Sequence, residues 1–193
     1  MRHGARWSIA AVILMIAAVV AVWPRSEPTP TPEKTTAPDL TAARAKAGLP
    51  TCASAPKGPA DLRGLTVECL ADGSTVDIAT TLRGPVLVNM WATWCEPCKT
   101  ELPILAAYAA EPDAIDVVGL AVESRPADAL ELLTALKVQL PTLLDEKGRA
   151  RQRLHPVGLP ASYLVGADGT VTLIENPRLF GSVDDVRQAV ANG

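Results

Sequence analysis

The chain has little of what most metal and nucleotide sites are made from. It holds two histidines, one of them at position 3, and four cysteines in 193 residues. A structural zinc site wants four ligands at close spacing. Cys52 and Cys69 have 16 residues between them, so no metal centre is expected. A copper-carrying module would want a further histidine or methionine opposite a cysteine pair. His155 is the single candidate for that and otherwise reads as a partly exposed loop residue. No glycine-rich loop of the phosphate-cradling kind is present, and no other cofactor is expected. No cluster of lysines marks a nucleic-acid surface. Arg149, Arg151 and Arg153 alternate with other residues and read as a solvated face. No internal repeat is visible.

The N-terminus carries a different signal. Arg2 and Arg6 precede an uncharged run of 16 residues, Ser8 to Trp23. A spanning helix wants about 20 residues, with a lower limit of roughly 17. Trp7 and Trp23 bracket the run, and tryptophans favour membrane interfaces. The basic lead keeps residues 1–7 cytoplasmic and sends everything after Trp23 outward. A cleaved signal peptide ending near Val19-x-Ala21 is the alternative, and both readings imply export. Five prolines between Pro24 and Pro38, mixed with threonines and charges, cannot pack a core and form an extended spacer. Asp39 is placed to cap a short helix, Leu40 to Ala47, stopped by Gly48 and Pro50. The expected division is therefore residues 1–7 cytoplasmic, 8–23 anchor or signal, 24–50 linker and 51–193 a single domain. The whole chain carries −3. Its exported part sets 16 bases against 21 acids and is more acidic.

Within the domain, hydrophobic periodicity alternates between strand and helix. Leu65–Leu70 and Thr75–Ile78 flank Asp72-Gly73 as a hairpin. Pro85–Trp91 and Ile115–Val122 are nearly continuous apolar runs, the pattern of strands buried on both faces. Cys95–Ala110, kinked at Pro103, Ala127–Lys137 and Val183–Ala191 have helical spacing, the last with Asp184 and Asp185 in its first turn. Ala161–Val165 and Thr170–Ile174 flank Asp168-Gly169 as a second hairpin. The order β-α-β-α-β-β-α predicts an α/β domain, a mixed central sheet with helices on both faces.

The chemistry sits in Trp94-Cys95-Glu96-Pro97-Cys98, where a buried strand runs into a helix. A cysteine at a helix N-terminus meets unpaired backbone amides and the positive end of the dipole, which stabilise a thiolate. Cys98 lies one turn on and on the same side. Pro97 costs little at an early helical position. Such a pair suits thiol–disulfide exchange. Cys95 attacks a partner disulfide and Cys98 resolves the mixed disulfide. Glu96 and Glu101 oppose the dipole and argue against a strong oxidant.

The stretch "VLVNMWATWCEPCKTELP" resembles the thioredoxin superfamily, and most of all its TlpA/ResA-like group of membrane-anchored thiol–disulfide oxidoreductases, many of which serve cytochrome c maturation. The resemblance covers about residues 56–193. It implies a thioredoxin-like fold, with Cys95 and Cys98 as redox pair and Glu101 as an acid near them. Asn89 stands where thioredoxins proper carry a buried aspartate. Pro160 matches the family's cis-proline, so that Trp94, Leu159 and Pro160 would face the substrate, the backbone of Leu159 pairing with a substrate strand. Pro156 stands where valine is usual, and Ala161 where threonine is usual. The implied partners are disulfide-bearing exported proteins, such as apocytochrome c, and a membrane thiol transporter as reductant.

Cys52 and Cys69 lie outside the motif. An even cysteine count in an oxidising compartment suggests a structural bridge tying the segment after the linker to the first hairpin. A second redox pair relaying electrons to Cys95 and Cys98 is the alternative. Two rival functions use the same motif. One is an oxidase that introduces disulfides into secreted proteins. The other is a peroxiredoxin-like peroxidase, which would want a proline that this chain lacks between Thr93 and Cys95.

Overall fold

The computed structural model describes residues 39–54 and 58–193. The expected anchor, residues 8–23, and the proline-rich stretch up to Pro38 lie outside the described residues. Among the described residues no helix is long and apolar enough to cross a membrane.

Asp39–Gly193 form one compact unit. Its first helix, α1 (Thr41–Ala47), starts where the Asp39 carboxylate accepts the Thr41 N–H and stops at Gly48, in the left-handed region at φ 57°. Its sequence, beside a proline-rich stretch, reads as part of a linker. In the structure it is docked: Leu40 and Ala47 are buried in the core, and the Arg44 guanidinium reaches Glu68 at 2.7 Å and the Leu70 carbonyl at 3.3 Å.

Seven strands make one mixed sheet. They are β1 (Thr66–Cys69), β2 (Thr75–Asp77), β3 (Val86–Trp91), β4 (Asp116–Val122), β5 (Thr142–Asp145), β6 (Ala161–Val165) and β7 (Val171–Leu173), in the order β2-β1-β5-β4-β3-β6-β7. The central β5-β4-β3 strands are parallel and the flanking pairs antiparallel. Between the strands lie α2 (Ile78–Thr81), α3 (Glu96–Ala109), α4 (Pro126–Leu136) and α5 (Arg149–Leu154), and α6 (Val183–Asn192) closes the chain. Both expected hairpins form, with Gly73 at φ 79° and Gly169 at φ 85°, and Asp72 and Asp168 each accept the N–H two residues on. At α6 the aspartates do more than meet a dipole: Ser182 and Asp185 form a reciprocal capping box.

Side chains alternate across the sheet. Leu87 and Trp91 of β3 pack toward the face covered by α3, α4 and α6, whereas Val86, Val88 and Met90 pack on the other face with Leu62, Ile78 and Leu82. Asn89 shares its face with Leu87 and Trp91, and this register carries a polar residue under α3. Gly119 of β4 leaves room for the Trp91 indole, whose Nε1 would lie 3.1 Å from a β-carbon there.

The short elements β5, α2 and α5 were not expected. The six residues of α5 carry three arginines, and these are not merely solvated. Arg149 donates to the Thr66 carbonyl, Arg153 to that of Asp61 at 2.7 Å, and Arg151 to the Glu123 carboxylate at 2.7 Å. Sequence spacing makes them look alternating, while the helix fans them onto different neighbours.

Candidate active site

Cys95 is the N-cap of α3, with extended backbone, and its sulfur accepts the Cys98 N–H at 3.3 Å. The two cysteines are joined in a disulfide. Pro97 occupies the first turn, where its missing N–H costs no helical bond. Pro103 lies inside the same helix. Cys98 is wholly buried, while Cys95 keeps 5% of its surface exposed. Cys95 is thus the more accessible of the two.

Trp94, next to Cys95, is 57% exposed, yet it is held in place. Its indole N–H donates to the Glu123 carbonyl at 3.3 Å, and the Arg151 guanidinium lies 5.9 Å from its ring centroid. Arg151 in turn pairs with the Glu123 carboxylate. Glu123 takes a left-handed φ of 47°, which turns the chain sharply after β4. The buried hydroxyl of Ser124 accepts the Thr93 N–H at 3.0 Å and donates to the Val122 carbonyl. Two consecutive residues of the loop after β4 therefore clamp the two residues before Cys95.

Glu101 lies one turn beyond Cys98 in α3 and is 2% exposed. One carboxylate oxygen accepts the Phe180 N–H at 2.8 Å and the other accepts from the Asn89 amide at 2.7 Å. Burial pushes its carboxyl above the ordinary glutamate range, against the lowering effect of those two donors. Asn89 also donates to Ser162 at 3.0 Å, its register partner across β3 and β6. Glu96, by contrast, is exposed and paired with Lys99 at 2.8 Å, so its charge is offset locally.

The Leu159–Pro160 peptide is cis, with Pro160 buried and Leu159 partly so, at the start of β6 beside β3. His155 ends α5 in a left-handed conformation and is exposed. Besides Trp94, the large apolar side chains most exposed among the described residues are Val157 and Leu179. Val157 precedes the cis-proline, and Leu179 adjoins the Phe180 that holds Glu101. Cys52 and Cys69 are joined in the second disulfide, with Cys69 wholly buried in β1. A cavity of about 850 Å³ is lined by Cys52, Val86 and Asp116, at the opposite end of β3 and β4 from Cys95.

The AhpC/TSA family pattern matches residues 61–174, more than half of the chain. The chain belongs to the AhpC/TSA family. It is 33% identical over 114 residues to the thiol:disulfide interchange protein CycY of Rhizobium leguminosarum bv. viciae, a match covering 58% of each protein. It is 26% identical to the thiol-disulfide oxidoreductase ResA of Oceanobacillus iheyensis, over 60% of this chain and 64% of that one. The chain thus spans less than two thirds of either relative. Among solved structures, a secreted Mycobacterium tuberculosis disulfide oxidoreductase homologous to E. coli DsbE matches with a TM-score of 0.59 and 28% identity, over 69% of this chain and 98% of that one. The fold is thioredoxin-like, and the resemblance to the TlpA/ResA type stands.

Glu123, Ser124, Arg151, Ser162 and Phe180 escaped the sequence reading. Only Ser162 left a signal there, as a small polar residue inside the apolar run Ala161–Val165. The others act through loop backbone or across long sequence distances.

Proposed function

We propose that this protein is a thiol–disulfide oxidoreductase that reduces disulfides of exported proteins, the haem-binding cysteines of apocytochrome c being one such class. The observation that carries this is a cysteine pair at the N-cap of α3, with Cys95 the less buried of the two and next to an exposed, clamped Trp94, and Glu101 buried one turn beyond Cys98. In the reducing direction the Cys95 thiolate attacks a substrate sulfur, and the other substrate sulfur leaves with the bonding pair. Cys98 then loses its proton and attacks Cys95, so the pair becomes the disulfide and the substrate gains two electrons. Trp94, Leu159 and Pro160 form the edge against which an extended substrate segment would lie. A membrane thiol transporter would return the pair to the dithiol. Residues 8–23 would keep the domain on the outer face of the membrane, raising its effective concentration beside membrane partners. The bridge of Cys52 to Cys69 has a structural role in this reading.

The peroxidase alternative is less well supported. The Thr93 hydroxyl is engaged by Ser124 at 3.3 Å, and Cys95 has its resolving partner three residues away. The test of function is turnover of a protein disulfide, insulin with a thiol donor, together with the equilibrium potential of Cys95–Cys98 against glutathione. A reducing potential near that of thioredoxin, about −270 mV, supports reduction. A value near about −120 mV assigns the oxidase direction instead.

A further inference from the structure

Resting on the reading of Cys95–Cys98 as the exchanging pair, we propose that Asn89 and Ser162 form a reversible hydrogen-bond switch for the proton of Glu101. Asn89 presents its amide N–H to the carboxylate form and, turned half a revolution about its last side-chain bond, its amide oxygen to the acid form.

The three side chains are buried together, Asn89 fully and Glu101 and Ser162 each 2% exposed. The Asn89 amide has two N–H donors. One goes to Glu101 Oε2 at 2.7 Å and the other to Ser162 Oγ at 3.0 Å. Its carbonyl oxygen, Oδ1, is buried without a partner among the described residues. A buried orphan acceptor is costly and asks for an explanation. An amide is nearly symmetric in shape, so rotation places Oδ1 where Nδ2 now stands, facing the same two oxygens. In that orientation both can donate to it, Glu101 as a carboxylic acid and Ser162 through its hydroxyl hydrogen. The site therefore makes two hydrogen bonds to this end of Asn89 in either protonation state, and in either state the other end of the amide is left unpaired.

Each participant is needed for a definite reason. Phe180 N–H occupies Oε1 at 2.8 Å, so the proton belongs on Oε2, the atom that faces Asn89. Ser162 accepts in one state and donates in the other, which a methyl group cannot do. An aspartate at 89 would set a second carboxylate against Glu101, and a leucine would serve neither state. No ionised side chain is among the causes of the Glu101 shift. On α3, Cys98 lies one turn before it and becomes titratable once the disulfide opens, while Glu96 and Lys99 pair with each other. β3 and β6 offer the non-titrating Asn89 and Ser162. At the start of α6, Asp185 is bound to the N–H groups of Gly181 and Ser182. The step served is the resolving one. Glu101 takes the Cys98 proton as the Cys98 sulfur attacks Cys95, the Cys95–substrate bond breaks, and the substrate thiolate leaves with the electron pair. The acid then returns the proton to solvent or to that thiolate, and Asn89 turns back.

The test is an NMR titration of the full chain, following the Glu101 carboxyl carbon and the Asn89 side-chain amide protons together. The amide signals should move with the midpoint of Glu101. In Glu101→Gln, whose amide stands in for the acid, Asn89 should show the turned-over signals at every pH. Asn89→Leu removes a bond from both forms, but the bond to the carboxylate is charge-assisted and the stronger of the two, so the Glu101 midpoint should rise by about one pH unit, a tenfold change in proton affinity. Ser162→Ala removes one bond from both forms and should move the midpoint far less, and Ser162→Thr should leave it in place. Asn89 signals indifferent to the Glu101 titration overturn the switch in the unmodified protein, whatever the variants do. An equal shift in Ser162→Ala and Asn89→Leu also overturns it, because Ser162 would then favour one state only. These readouts do not depend on turnover, so failure to reduce insulin would remove the proposed function without deciding the switch.

Discussion

The two disulfides join the same atoms in one domain and differ in almost everything around them. Cys95 and Cys98 are three residues apart, at a helix start, with Cys95 5% exposed and Cys98 wholly buried. Their ring constrains little of the unfolded chain, so the bond adds little stability and its opening costs little. Cys52 and Cys69 are 17 residues apart, and their bond ties the segment after α1 to a wholly buried position in β1. A loop of that size is worth about 3 kcal/mol in the chain-entropy model. We read the first disulfide as the exchanging one and the second as a tether. What separates them is surroundings: a helix N-terminus, a clamped tryptophan and a buried carboxyl beside one, and strand packing around the other.

The largest expected effect is on the exchanging pair. Cys95→Ser should reduce insulin turnover to the uncatalysed background, and Cys98→Ser should accumulate mixed disulfides through Cys95. More trapping by Cys95→Ser than by Cys98→Ser would reverse the two roles. Next comes the tether. Cys52→Ser with Cys69→Ser should lower stability in urea by about 3 kcal/mol and leave the Cys95–Cys98 potential unchanged. Under mild reductant, alkylation and peptide mapping should find Cys95 and Cys98 released first. If Cys52 and Cys69 open first, or if their loss moves the potential, the contrast between the two bonds collapses.

Glu101 sharpens the comparison, because it belongs to one disulfide only. Its carboxyl is raised above the ordinary value of 4.5 by burial. Below that value both folded and unfolded chains hold the proton, and stability is at its fullest. As pH rises through it the unfolded chain releases the proton first, so stability declines until the raised folded value is passed. Glu101→Gln should remove that decline, giving a variant more stable than the parent near neutral pH and little different in acid, as read from urea midpoints. A parent that gains stability over this window relative to Glu101→Gln would contradict the assignment. The smallest effect is expected at the rim. Arg151→Ala removes an exposed cation–π contact, worth about 0.5–1 kcal/mol. It also breaks the partly exposed pair with Glu123. The KM for a protein disulfide should rise a few-fold with kcat retained, and the fluorescence of Trp94 should change. An unchanged KM would make the Arg151 clamp irrelevant to docking.

The long elements were legible because each carries a period and a punctuation mark. The run Val86–Trp91 reads as a strand from its apolar residues alone, and the helix that follows reads from Cys95, Pro97 and its spacing. The short pieces were not. β5 has four residues, and α5 has six with charge at every other position, too few for any periodicity to declare itself. Helix α1 was seen, but its docking was not, since a seven-residue helix beside a proline-rich stretch gives no hint of what Leu40 packs on. The Cys95–Cys98 motif was readable as chemistry, and Glu101 only through its family position, because a glutamate in an early helical turn is ordinarily a surface residue.

Sequence by itself determined the cysteine pair, its place at a strand-to-helix junction and the apolar runs of the buried strands. These are local properties, set by spacing, composition and the intrinsic preferences of cysteine, proline and glycine. Tertiary structure alone decided which neighbours those residues meet. It set Asn89 against Glu101 and Ser162, Glu123 and Arg151 against Trp94, and Phe180 over the buried carboxylate. Sequence separations of 12 to 79 residues divide the hydrogen-bonded pairs Asn89–Glu101 and Phe180–Glu101. Such contacts exist only after strand register and helix packing have fixed which face of each element points inward, because an unfolded chain has no means of bringing those groups together.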